Sequence, residues 1–166
     1  MKKILSFTLA ALCGIIFLSA CSGSKKTVEN NTVSRNELKG NWIVTSTSVE
    51  GADASKLKIT AFDDVALGCF NGSTWSFPNS NYGSYTVNNS ACEQGARKII
   101  WSQKTSNGVS YLKFKHMDDL KRNKARTVNE GYSLEITQSD KTHFTAKSPL
   151  NFDGKTIYIV YQFEKQ

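Results

Sequence analysis

The 166-residue sequence predicts an all-β protein, an antiparallel up-and-down barrel of about eight strands with a short helix after the first strand. Two observations carry this prediction. Apolar and polar residues alternate in one segment after another, as they do in strands with one buried face. Short clusters of Gly, Asn, Asp and Ser separate most of these segments. Such a meander closes into a barrel because closure leaves no exposed edge, and an open β-sandwich is the main alternative.

The first residues have the pattern of an export signal rather than of a folded element. Lys2 and Lys3 precede an apolar run over residues 4–18, which is short for a membrane-spanning helix. The run ends in Leu18-Ser19-Ala20-Cys21, which resembles the lipobox at which bacterial lipoproteins are acylated on the cysteine and cleaved just before it. The resemblance implies that residues 1–20 are removed and that Cys21 carries acyl chains such as palmitate. An ordinary secretory signal cleaved nearby is the alternative.

Residues 21–37 form the predicted tether between this anchor and the folded domain, which we place at residues 38–166. Ser, Lys, Asn and Thr dominate the tether, so it has little apolar surface to bury. In lipoproteins of this kind, Ser22 rather than Asp after the anchor favours sorting to the outer membrane. The tether also lacks the early acidic run associated with export to the cell surface, so we expect the domain to face the periplasm.

The first strand of the domain begins near Gly40-Asn41-Trp42. Gly40 allows a sharp turn before the strand, and Trp42 can close the end of a barrel while its indole N–H finds a carbonyl. Gly-x-Trp at this place is the mark of the lipocalins, and residues 38–165 resemble the lipocalin-like domains of bacterial envelope lipoproteins. The plain alternative is that Trp42 is a core tryptophan on an edge strand.

The segment over residues 50–67 is the least β-like part of the domain. Asp53 or Ser55 can cap a helix. Apolar residues then recur at the i, i+4, i+8 spacing of a helical face, at Leu57, Ala61 and Val65. The sequence therefore predicts a short helix here, and the resemblance implies the same, since lipocalin-like barrels commonly carry a helix or lid between their first two strands.

The rest of the domain reads as a series of strands with short turns. They are predicted over residues 71–78, 82–87, 98–104, 109–116, 131–137, 142–147 and 156–163. Asn107-Gly108 is the pair that hairpin turns favour, and Pro78 and Pro149 are placed at strand ends, where a missing N–H costs least. The inward faces of the strands are rich in aromatic residues, which either fill the barrel or line a pocket.

Two cysteines remain once the signal is removed with Cys13 and Cys21 is acylated. In an oxidising envelope compartment, Cys69 and Cys92 should form a disulfide. Closing a loop of this length would stabilise the fold by about 3.5 kcal/mol on a chain-entropy estimate. A cysteine nucleophile or metal ligand is the rival interpretation, but no histidine lies beside either residue in the sequence.

The sequence carries no motif for catalysis or for a cofactor. His116 and His143 are its only histidines, and neither stands in a zinc-binding spacing. A nucleophile elbow and a phosphate-binding glycine loop are both missing. The adjacent carboxylates of Asp63 and Asp64 are expected to be solvated. We therefore expect no enzymatic activity, no metal and no cofactor.

A basic segment contributes to the net charge of +7 and lies between two predicted strands, hence at one end of the barrel. It suits an anionic head group, while a solvated loop is the alternative. Nucleic acid is an unsuitable partner, since aromatic residues do not interleave the run. The predicted ligand-binding residues are the basic Lys121, Arg122, Lys124 and Arg126 and the aromatic Trp42, Trp75, Trp101 and Phe114.

These observations predict a monomeric, lipid-anchored envelope protein whose lipocalin-like barrel binds a small hydrophobic or amphiphilic ligand. A structural or interaction protein of the envelope with a filled barrel core is the alternative, and an inhibitor-type barrel that acts through its loops on an envelope enzyme is a third. A pocket of ~300 Å³ or more with apolar walls favours ligand binding, whereas a filled interior favours the alternative.

Overall fold

The computed structural model describes residues 32–117 and 131–166. The predicted signal peptide, Cys21 and most of the predicted tether lie outside the described residues. So do the basic residues Lys121, Arg122, Lys124 and Arg126. The predictions made for them stay predictions.

The predicted all-β fold is confirmed. The elements are α1 (Arg35–Leu38), β1 (Gly40–Glu50), β2 (Thr60–Ala61), β3 (Val65–Ala66), β4 (Thr74–Phe77), β5 (Tyr82–Val87), β6 (Gly95–Ser106), β7 (Val109–His116), β8 (Tyr132–Ser139), β9 (His143–Phe152) and β10 (Lys155–Lys165), with 3-10 helices at Ala54–Lys56 and Leu67–Phe70. Eight antiparallel strands form a closed barrel in the order β1-β10-β9-β8-β7-β6-β5-β4, and β2 pairs with β3 in a small separate sheet.

The helix α1 closes one end of the barrel, which we call the helix end. Ser34 caps α1 in a capping box with Glu37. Val33 is buried, and its N–H donates to the Ser110 hydroxyl at 2.8 Å. The Trp42 indole donates to the carbonyl of Leu38 at 2.8 Å, as its place in the sequence predicts. Residues 33–37, which the sequence assigned to the tether, therefore belong to the fold, because their apolar and capping groups are satisfied there.

The opposite end is covered by the segment between β1 and β4, and we call it the lid end. Asp53 caps the first 3-10 helix by accepting from the N–H of Ser55. The predicted helix does not continue from there, since Ala61 and Val65 pair across a hairpin instead of lining one helical face. Residues 60–66 are the lid hairpin. The i, i+4, i+8 pattern therefore wrongly predicts a helix over these residues. The turn between the two short strands instead places Phe62 inside the barrel, where it is only 7% exposed.

Aromatic side chains fill the interior of the barrel. Phe144 and Phe163 stack with ring centroids 4.2 Å apart, and Trp75 and Tyr85 stack at 4.5 Å. Trp42 meets Phe144 edge-on at 4.7 Å. These five side chains are at most 2% exposed. The sequence left open whether the inward aromatic residues fill the barrel or line a pocket. In this part of the barrel they fill it, because the rings pack against one another.

The seam between β8 and β9 is incomplete at the lid end. Their ladder ends at the pair Glu135 and Lys147, although β9 continues to Phe152 in a ladder with β10. Pro149 lies within this continuation, opposite Tyr158, and not at a strand end as predicted. Proline has no N–H to donate, so it is suited to a part of a strand that has a neighbour on one side only.

Candidate functional site at the lid end

The four predicted aromatic ligand residues all lie inside the barrel. Trp42 stands opposite Trp75 in the ladder between β1 and β4, and Trp75 meets Phe114 edge-on at 5.3 Å. Trp101 packs on Phe77 at 5.0 Å, and its indole donates to the carbonyl of Ser80 in the turn at the helix end. The structure therefore brings Trp75 and Phe114 together below the lid. Each of the four is at most 1% exposed and packs on other rings of the protein.

Phe62 occupies the centre of the barrel at the lid end. Its ring stacks on Tyr161, with centroids 5.2 Å apart and an angle of 22° between the ring planes. The ring edges or faces of four further aromatics surround it, namely Phe70 at 5.1 Å, Trp75 at 6.1 Å, Phe114 at 4.9 Å and Tyr132 at 5.2 Å. Tyr161 and these four residues surround Phe62, and we call the five of them the ring cage. Phe62 thus closes the barrel where an apolar ligand would otherwise enter.

The two carboxylates that follow Phe62 fasten the lid hairpin to the barrel. Asp64 forms a two-pronged ion pair with Arg97, at 2.9 Å from Nε and 3.0 Å from Nη2. The Tyr85 hydroxyl donates to Asp64 at 2.7 Å. Asp63 accepts from the Tyr132 hydroxyl at 2.8 Å. We call these contacts the lid latch. The expectation that both carboxylates are merely solvated is wrong, because the hairpin turn aims them at strands β5, β6 and β8.

The electrostatics of the latch keep its donors protonated at neutral pH. Burial, helped by the hydrogen bond to Asp64, raises the pKa of Tyr85 far above its ordinary value. Burial and Asp63 together raise the pKa of Tyr132 to about 12. The bond to Asp64 raises the pKa of Arg97 as well. A charged carboxylate between a permanent cation and protonated phenols is a stable arrangement, and strong hydrogen bonds to charge hold the lid in one position.

His116 extends the latch toward solvent. Its Nε2 lies 2.8 Å from the Tyr85 hydroxyl, whose own proton is engaged by Asp64. Nε2 therefore carries the proton and donates to Tyr85. Burial is the largest influence on this ring and lowers the pKa of His116, while the nearby Asp64 acts in the opposite direction. His116 is thus held neutral at the end of a chain of hydrogen bonds.

A cleft opens beside the lid where β8 and β9 part. Its volume is about 330 Å³. Its lining includes Phe62 and Tyr132, apolar groups of Leu150 and Ile159, and the hydroxyl-bearing Ser148 and Tyr161. We call it the lateral cleft. Because Pro149 cannot donate a ladder hydrogen bond, the sequence itself favours an opening at this seam.

The hydroxyl of Tyr161 is the unusual group of the lateral cleft. Tyr161 is fully buried, and its hydroxyl makes no hydrogen bond within the described part of the chain. Burial raises the pKa of Tyr161, and the Ser148 hydroxyl lies close enough to act weakly in the other direction without completing a well-formed bond. A buried hydroxyl without a partner is costly, and because its oxygen has almost no accessible surface, a ligand in the cleft reaches it only when a neighbouring group moves.

The predicted disulfide is present and secures the segment that follows the lid hairpin. Cys69 and Cys92 are bonded, with Cα atoms 5.9 Å apart. The bond ties the second 3-10 helix to the connection between β5 and β6. Phe70, one of the ring cage, is therefore fixed to the wall of the barrel, whereas the lid hairpin has no such tie.

Sequence reasoning did not single out Phe62, Arg97 or the hydroxyl of Tyr161. The available signal was the placement of tyrosines, since Tyr85, Tyr132 and Tyr161 all fall on inward strand positions. Three hydroxyls on apolar faces need partners, and that need points to a polar cluster inside one end of the barrel.

Within residues 32–117 and 131–166, no three His, Cys, Asp or Glu side chains come together in a way that would hold a metal ion. The helices there are all too short or too polar to cross a membrane.

Comparison of the chain with known proteins adds no relative. We find no family model, curated protein or solved structure that matches it.

Proposed function

We propose that this chain is a lipid-anchored protein of the cell envelope whose lipocalin-like barrel binds a small amphiphilic ligand at the lid end. The observation that carries the proposal is the lateral cleft, which combines apolar walls with the unpartnered hydroxyl of Tyr161. Ligand sites are typically apolar concavities with a few polar groups that fix orientation, and the cleft fits this description.

The filled core limits the size of the ligand. The space along the barrel axis is taken by rings such as Trp75, Phe144 and Phe163, so a long acyl chain has no room beside them. The ligand is instead a compact molecule that fits about 330 Å³. Burial of its apolar part supplies most of the affinity, at roughly 25 cal/mol per Å².

The test is the recovery of a small molecule with the protein. The chain is purified from its native membrane without organic solvent, and its bound small molecules are extracted and identified by mass spectrometry. A Leu150→Trp variant, which fills the cleft from a partly buried position, is the matched control. A compact amphiphile enriched on the wild type and lost from the variant supports the proposal. Equal recovery from both proteins, or none from either, contradicts it.

The anchor is part of the same proposal and has its own test. The resemblance of Leu18-Ser19-Ala20-Cys21 to a lipobox supports acylation of Cys21 and attachment to the periplasmic face of the outer membrane. Cys21→Ser should release the protein from membranes or block its processing. If that variant is processed to mature length and still fractionates with membranes, Cys21 is not the anchor.

A second candidate function rests on the packed interior. A barrel filled by rings needs no ligand and acts through its outer surface, as a structural or interaction protein of the envelope. Chemical crosslinking in intact cells tests it. A protein partner captured through the barrel surface, together with an empty lateral cleft, would favour this candidate over ligand binding.

A further inference from the structure

We infer that Phe62 occupies a ring-binding subsite, and that the lid hairpin swings out to admit the ring of a small phenolic ligand. The inference rests on the proposed function and adds to it the chemistry of the ligand and the way in which the site opens. Its basis is the conformation of the hairpin, the way it is attached, and what its departure would leave behind.

The conformation of the hairpin turn is unfavourable for its residues. Phe62 and Asp63 both have positive φ, at 55° and 50°, and the N–H of Asp64 donates to the carbonyl of Ala61 across them at 3.1 Å. This geometry suits Asn and Gly, whereas a bulky aromatic residue rarely adopts it. Such strain persists where surrounding contacts impose it, and it is common at ligand clamps and switches. Here the contacts of Phe62 and the lid latch hold the turn.

The attachment of the hairpin leaves it free to move as a unit. β2 and β3 pair with each other and not with a barrel strand, so the hairpin takes no part in the barrel ladder. Side chains hold it down, through the buried Ala61, Phe62 and Val65 and through the latch of Asp63 and Asp64. Release of these contacts would open the lid and leave every barrel ladder intact.

The departure of Phe62 would leave a space with the shape of one aromatic ring. Its walls are the ring cage, in which Tyr161 offers a stacking face and Phe114 an edge. This space adjoins the lateral cleft, since Phe62 and Tyr161 line both. A ligand ring in the cage therefore lies next to the unpartnered Tyr161 hydroxyl and to Ser148. A ring that carries a hydroxyl satisfies both features.

A lid that must open before the ligand binds can be distinguished from a cleft that binds the ligand while closed, through the effect of the latch on affinity. If the ligand binds only when Phe62 has left, its apparent affinity is reduced by the fraction of molecules with an open lid. A weaker latch then raises the affinity. Asp64→Asn removes the charge that Arg97 and Tyr85 hold, and Arg97→Lys breaks the two-pronged bond while it keeps the positive charge. Neither side chain belongs to the ring cage.

The probe is 4-fluorophenol, with fluorobenzene as the ring that lacks the hydroxyl, and binding is followed by ¹⁹F NMR. The full chain as isolated is used, in nanodiscs, with empty nanodiscs subtracted. We expect Asp64→Asn and Arg97→Lys to bind 4-fluorophenol at least about fivefold more tightly than the wild type. Asp140→Asn, in the exposed turn at the helix end, should leave the affinity unchanged.

The hydroxyl preference is tested in the same titrations. The wild type should prefer 4-fluorophenol to fluorobenzene, and Tyr161→Phe should remove that preference. Hydrogen exchange gives a second measurement that needs no variant, because saturating 4-fluorophenol should speed exchange in the lid hairpin.

Equal or weaker binding by both latch variants, with slower exchange in the hairpin, would overturn the opening lid while it leaves ligand binding at the cleft in place. No binding of either probe by Asp64→Asn would overturn the ring subsite. The proposed function is judged separately, by the molecule that co-purifies with the protein.

Discussion

The buried hydroxyl of Tyr161 has no hydrogen-bond partner in the described part of the chain, and its effect on stability can be measured. We expect Tyr161→Phe to leave the free energy of unfolding unchanged or to raise it by about 0–2 kcal/mol, because it removes a buried group without a partner. Chemical denaturation of the two proteins without added ligand provides the measurement.

Tyr85→Phe is the matched control for that experiment. Its hydroxyl bonds to both Asp64 and His116, so its loss should destabilise the protein by about 1–3 kcal/mol. A loss of similar size from Tyr161→Phe would mean that the Tyr161 hydroxyl has a partner after all, and would weaken the case for the cleft.

The pH dependence of stability should contain a contribution from His116. Burial lowers the pKa of His116 in the folded state, so below about pH 6.5 the unfolded chain binds the proton more readily. Stability should therefore fall as the pH drops through the usual range of histidine. The groups that face the ring are Asp63, Asp64, Tyr85 and Tyr132 together with Arg97, and burial is the largest influence on its pKa.

The measurement is the thermal midpoint between pH 7.5 and 5.5. His116→Gln should flatten this part of the profile. His143→Gln, at an exposed position in the turn region of the helix end, is the comparison variant. If the His116 variant keeps the full slope, another group is responsible for it.

Among the elements, the disulfide offers the clearest prediction. Replacement of Cys69 and Cys92 together by serine should lower the free energy of unfolding by about 3.5 kcal/mol, because the unfolded chain regains the freedom of the closed loop. A reducing agent should destabilise the wild type by a similar amount and leave the double variant unaffected. Free thiols at both positions in freshly isolated protein would contradict the pairing.

The elements also show what local sequence can and cannot indicate. The bounds of β5 and β7 were predicted from alternation and turn residues, because a strand with one buried face leaves a period of two in the sequence. The prediction of a helix over the lid is wrong, because a spacing of four residues also fits a hairpin in which Ala61 pairs with Val65 across a turn. Only the contacts of Phe62 decide between them.

The site was less visible than the fold for the same reason. An inward tyrosine is evident from alternation, but whether its hydroxyl finds a partner depends on strands that are distant in the chain. Asp64 and Arg97 are 33 residues apart, and no local pattern pairs them. The sequence shows where Pro149 is. It does not show the opening beside Pro149, because that opening depends on the register of β8, β9 and β10.

At the scale of the whole molecule, the strand ends that precede and follow the basic segment in the sequence, His116 of β7 and Tyr132 of β8, both lie at the lid end. If this segment orients an amphiphile, octanoic acid should bind more tightly than octanol. Arg122→Ala should reduce that difference, and high salt should do the same, since exposed charges are screened within about 8 Å at physiological ionic strength.

The matched control for this experiment is Lys104→Ala, an exposed cation on β6 toward the helix end. It changes the net charge equally without touching the lid end. Tryptophan fluorescence can follow the titrations because Trp75 lies in the ring cage. An equal effect of both substitutions would show that only the overall charge matters.

The closure of the barrel joins its first strand to its last, with Trp42 opposite Lys165. Contacts between such distant residues form late in folding, because a long loop must close before they contribute. The hairpins of neighbouring strands, and the two cysteines 23 residues apart, can come together well before that. A chain that emerges from its N-terminus onward therefore stays an open, curved sheet until Lys165 is available, and its apolar inner face needs protection until then.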